Sequence, residues 1–123
     1  MPGGLFVKMR GSLTEHPKVI SMARYLKGQA AFRRWHAPNA PDDCQYVSSD
    51  AMRCVTVALL MRCWNGSRES GCFVGDDLVL PHNVLADLDD LGGAPCLGEA
   101  MKMVGWAVEK NGVTLPNFRE VRW

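Results

Sequence analysis

Two arginines set between aromatic rings, in the run Phe32-Arg33-Arg34-Trp35-His36, combine positive charge with faces on which nucleobases can stack. Phe32 and Trp35 equally suit packing of the segment onto a core, which would leave the arginines solvated. Four more cations lie toward the other end of the chain: Lys102, Lys110, Arg119 and Arg122. Such residues neutralise phosphates, each contact adding about 0.9 to the salt dependence of binding. Bond-making chemistry has no comparable support. No glycine-rich phosphate loop or nucleophile elbow occurs, and Gly75-Asp76-Asp77 is too short to define a catalytic centre. The five cysteines, Cys44, Cys54, Cys63, Cys72 and Cys96, include no C-x-x-C pair, and His16, His36 and His82 do not complete a zinc spacing. The expectation is a protein without catalytic activity, metal or cofactor, and with reduced thiols.

The elements that must position these cations are clearest in residues 95–118. Leu97, Ala100, Met101 and Val104 fall at i, i+3, i+4 and i+7, the stripe of a helix packed on a core, and predict a helix over 95–105 that stops at Gly105. Residues 106–109 then read as a strand, Asn111 and Gly112 as a type I′ turn, and residues 113–115 as the returning strand, ended by Pro116. This arrangement places Lys110 at a hairpin tip. It turns Lys102 outward beside Glu99, Cys96, Gly98 and part of Met103, and leaves free N–H groups near Pro95 for a phosphate.

Upstream, residues 5–10 alternate loosely as a short strand. A helix starting at Thr14 or Glu15 buries Val19, Met22, Ala23 and Leu26. Residues 27–48 show no sustained period and read as an irregular insert. Ser49 or Asp50 caps a buried helix that runs to about Trp64 and is ended by Asn65, Gly66 and Ser67. A short strand follows at 72–74 or 78–80. Pro81 then opens a helix with Val84, Leu88 and Leu91 on one face, stopped by Gly92 and Gly93. Trp64 and Trp106 lie on apolar stripes and are expected in the core. The order predicts a mainly α fold with a small β-hairpin: a winged helix-turn-helix with an extra N-terminal helix. A single domain results, with a leading strand and helix at 1–26, the insert at 27–48, the winged-helix core at 49–118 and a tail at 119–123.

With 47% hydrophobic and 22% charged residues, the 123-residue chain has the composition of one globular domain. It lacks the roughly 20-residue apolar run of a membrane helix and any secretion signal, so a cytoplasmic location is expected, in a bacterium or a phage-infected cell. The net charge of +1 conceals an asymmetry. Residues 1–70 carry ten Lys and Arg against five Asp and Glu, whereas residues 71–93 carry five aspartates and no Lys or Arg. They are Asp76, Asp77, Asp87, Asp89 and Asp90; the last three, on the helix before 95–105, read as a solvated face that would repel a nucleic acid backbone.

The phrases HPKVISMARYL, ALLMRCW, LGEAMKMVGWAVEKNGVTLPNF and the terminal FRE together resemble the N-terminal winged-helix domain of phage and prophage replication initiator or replisome-organiser proteins. The resemblance implies double-stranded DNA as partner, with helix 95–105 as recognition helix and 106–115 as wing. Lys102, Lys110, Arg119 and Arg122 would then contact phosphates, with Arg33 and Arg34 as auxiliary charge, and replisome proteins would be further partners. The near-neutral recognition helix and acidic preceding helix suit an alternative, a winged-helix protein interaction module such as a phage host-takeover or inhibitor protein with little DNA binding. Homodimerisation through the leading helix or the wing is compatible with both.

Overall fold

The computed structural model describes residues 13–38, 48–110 and 112–118. In chain order the elements are α1 (Pro17–Gly28), α2 (Ala30–His36), α3 (Ser49–Ser70), β1 (Cys72–Val74), β2 (Asp77–Leu80), α4 (Leu85–Gly92), α5 (Leu97–Met103), β3 (Val108–Glu109) and β4 (Val113–Leu115). The result is mainly helical with a small antiparallel sheet. The expected strand over 5–10 lies outside the described residues.

Helix α1 starts later than Thr14 or Glu15. His16 is its cap, with Nδ1 accepting the Lys18 N–H at 3.1 Å, and Pro17 occupies the first turn, where its missing N–H costs nothing. Its buried face is the expected one: Val19, Met22, Ala23 and Leu26. The insert is not irregular throughout, because Ala30–His36 forms α2. Good helix formers build it, yet it buries one side chain, Phe32, and one buried residue in seven generates no readable period. The part of the insert at 39–47 lies outside the described residues.

The central helix α3 is capped by Ser48, whose Oγ accepts the Ala51 N–H at 3.1 Å. It also runs past the expected stop at 65–67, to Ser70. The reason is tertiary. A Cβ on Gly66 would meet the Leu91 side chain at 2.9 Å, so this glycine lets α4 approach α3, and Ser67 is fully buried. Thr56, which interrupts the apolar run in sequence, donates from Oγ1 to the Met52 carbonyl at 2.7 Å and is buried without an unsatisfied hydroxyl.

Both expected strand positions are occupied, as the hairpin β1–β2, and the sheet order is β1-β2-β4-β3, antiparallel throughout. Leu78 pairs with Leu115 and Leu80 with Val113, which turns all four side chains into the core on one face. Helix α4 begins at Leu85, four residues after the start expected at Pro81, so that Val84, expected on its apolar face, precedes it. Asp87 accepts the Val84 N–H at 2.8 Å, fixing Val84 as the cap, so Leu85 is buried and Val84 is exposed. Gly93 ends α4 at φ 80°, as expected of an αL stop. The last helix is shorter than 95–105, and β3 starts at Val108 rather than 106. Instead of pairing in the sheet, Trp106 and Ala107 donate their N–H groups to the Met101 carbonyl, at 2.9 and 3.3 Å, and close the end of α5. Trp106 and Trp64 are both buried and meet edge to face at 5.6 Å, as the core assignment required.

Candidate nucleic-acid interface

Burial fixes which side of α5 faces outward. Leu97, Ala100 and Met101 are fully buried and Val104 is half-buried, which leaves Glu99, Lys102 and Met103 exposed. Gly98, expected outward, points inward: a Cβ there would sit 2.2 Å from the Leu85 carbonyl oxygen, so it is the contact glycine between α4 and α5. Lys102 extends to the β3–β4 hairpin, where its Nζ lies 2.6 Å from Glu109 Oε1. Hydrogen bonding and charge from Glu109 push the Lys102 ammonium pKa upward. The ammonium therefore stays charged but is already paired, and exposed Glu99 adds a second negative charge near it.

The start of α5 departs further from expectation. Asp89 of α4 accepts from the Cys96 N–H at 3.1 Å and the Gly98 N–H at 2.7 Å. A carboxylate of the chain itself thus fills the position assigned to a phosphate near Pro95, and Asp89 is not part of a merely solvated face. Asp87 caps α4, and Asp77 accepts the Asn117 N–H at 2.9 Å, tying the end of β4 to the start of β2. Three of the five aspartates are structural acceptors.

Of the other predicted cations that are described, Lys110 follows β3 whereas Arg33 and Arg34 belong to α2. Lys110 is exposed at the turn of the β3–β4 hairpin, where its N–H donates to the Gly112 carbonyl at 3.0 Å and Gly112 adopts φ 105°. Asn111, Arg119 and Arg122 lie outside the described residues. Arg33 is half-buried and donates to the Lys27 carbonyl at 3.1 Å, while Arg34 is exposed. Of the neighbouring rings, Phe32 is core and Trp35 is 43% exposed, 5.3 Å from Phe32 between centroids. Trp35 faces a shallow cavity of about 530 Å³ with Asp89, Asp90, Ala94 and Pro95, at the turn between α4 and α5. Acidic walls there disfavour a phosphate.

A different surface combines charge with concavity. Pro17, Lys18, Ser21, Arg24 and Tyr25 of α1 face Met103 and Val104 across an open groove of about 660 Å³. Its lining holds two cations and two hydroxyls and no carboxylate. Lys18 Nζ rests 5.5 Å from the centroid of Trp106, which fixes its stem against the α5–β3 junction. Burial first, and Glu99 behind it, raise the Tyr25 phenol pKa, so it remains a proton donor at neutral pH. The sequence did carry a signal for this groove. Helix α1 contains no acidic residue, and Lys18, Ser21 and Tyr25 recur at i, i+3 and i+7.

Among the described residues no group of three or more His, Cys, Asp or Glu is placed to hold a metal ion. No described helix is long and apolar enough to cross a membrane. No family model, curated protein or solved structure matches the chain.

Proposed function

We propose that the chain is a winged helix-turn-helix that binds duplex DNA, of the kind used by phage and mobile-element replication proteins, with α1 and α2 as an N-terminal extension. The observation that carries this reading is the connectivity around α5. Helices α3, α4 and α5 are followed at once by the β3–β4 hairpin, and β4 pairs with β2 so that the hairpin extends the sheet beside α5. A helix that leads directly into a hairpin suits insertion of the helix into a groove, with the hairpin resting alongside as a wing. The Lys102–Glu109 pair holds the two together. Lys110 at the tip is then the wing's own phosphate contact.

A second reading has a specific observation in its favour. Asp89 occupies the start of α5 and Glu109 neutralises Lys102, which suits a winged-helix scaffold turned to protein partners. Fluorescence anisotropy of labelled random-sequence duplex, at 50 and 200 mM salt, separates the two. With three phosphate contacts the affinity should fall about 40-fold over that range. Absence of binding at 50 mM would overturn the DNA reading in favour of the protein-partner one.

A further inference from the structure

We propose that the groove between α1 and the end of α5 is the principal phosphate-contacting surface for duplex DNA, with Lys18 and Arg24 as its cations and Ser21 and Tyr25 as neutral donors. This rests on the DNA reading above and relocates its main electrostatic contact from the face of α5 to α1. Three observations converge on it. The groove is lined by cations and hydroxyls without a carboxylate, whereas Lys102 on α5 is paired and the start of α5 is filled by Asp89. Neither Lys18 nor Arg24 is in an ion pair among the described residues, unlike Lys102 with Glu109 and Arg53 with Asp50. Finally, the far wall of the groove is Met103 and Val104, the end of the helix that enters the DNA groove in this reading, so a backbone lying along α1 is continuous with that contact.

The chemistry selects a duplex over a single strand. Single-strand sites combine charge with open aromatic faces on which bases stack. In this groove Trp106 is buried beneath Lys18 and His16, and Tyr25 is half-buried, so no open ring face is offered to a base and the polar contacts are those of Lys18, Ser21, Arg24 and Tyr25. Lys18 and Arg24 are six residues apart, about 9 Å along the helix axis, and so reach separate phosphates of one strand.

The test is the salt dependence of duplex binding for Lys18→Gln/Arg24→Gln, beside a charge-matched pair outside the groove, Arg62→Gln/Arg68→Gln. Loss of two phosphate contacts should lower the salt slope by about 1.8, so the drop in affinity between 50 and 200 mM shrinks about 12-fold. The control pair should keep the wild-type slope. The charge-conserving Lys18→Arg/Arg24→Lys should restore it, which separates lost contacts from lost folding. If the wild type binds duplex and Lys18→Gln/Arg24→Gln binds with an unchanged slope, the groove assignment is overturned while the DNA reading stands. Tighter binding of single-stranded than of duplex DNA overturns the choice of ligand, and no binding of either by the wild type overturns both readings together.

Discussion

The carboxylate of Asp89 accepts two backbone N–H groups at the start of α5, and a bound anion there would have to displace it. It also supports Cys96, which takes φ 69°, a backbone conformation side chains seldom adopt. Sequence alone could not assign this role. A local capping bond joins residues three apart, as Asp87 and the Val84 N–H do, whereas Asp89 reaches seven and nine residues ahead, across the turn between two helices. Asp89→Ala removes both acceptors and should lower the free energy of unfolding by about 1–2 kcal/mol, the usual cost of losing a cap. Urea denaturation measures this; a loss no greater than that of Asp90→Ala would show that the two bonds contribute nothing net. Lys102 teaches the same lesson from the opposite side. Its exposure on α5 was legible, but its neutralisation by Glu109 depends on where the β3–β4 hairpin folds back.

At the scale of elements, α5 and the hairpin after it were readable because their signals are local and contiguous: an apolar stripe, Gly105, a turn glycine and Pro116. Elsewhere local signals misled. Gly66 in Asn65-Gly66-Ser67 looks like a helix stop and is instead the place where Leu91 seats against α3. Gly98 looks like a gap in an exposed face and is the crossing point of α4 and α5. A substitution pair exposes the difference. In an open helix position Gly→Ala is favourable by up to about 1 kcal/mol, and Gly28→Ala at the end of α1, where nothing lies within 4 Å, should be neutral to stabilising by that measure. Gly98→Ala puts a methyl 2.2 Å from the Leu85 carbonyl oxygen, a backbone atom that cannot rotate away. It should destabilise by about 1–3 kcal/mol. Thermal melts of the two variants that moved in the same direction would show that the α4–α5 crossing is loose.

For the whole molecule, the decisive pairing is β2 with β4, which joins residues 77–80 to 113–115 and closes the chain around α3. Nothing in either strand's sequence names the other; only the shared burial of Leu78, Leu80, Val113 and Leu115 selects the match. Cys63 reports on this closure. It is fully buried in α3, its Sγ is 3.9 Å from Met101 Sδ of α5, and its Cβ lies 3.4 Å from where a Gly92 side chain would begin. Burial pushes its thiol pKa up to about 11, so at pH 8 it is protonated as well as inaccessible. Cys54 and Cys72 are exposed. Under a maleimide pulse at pH 8, with sites resolved by peptide mass, Cys54 and Cys72 should be modified in the folded protein. Cys63 should react only at the rate of global opening, with the urea dependence of whole-chain unfolding, because α3, α4 and α5 must all part to release it. Modification of Cys63 well below the unfolding transition would mean that α5 and the β3–β4 hairpin detach from α3 as a separate unit, and that the sheet does not bind the molecule into one cooperative body.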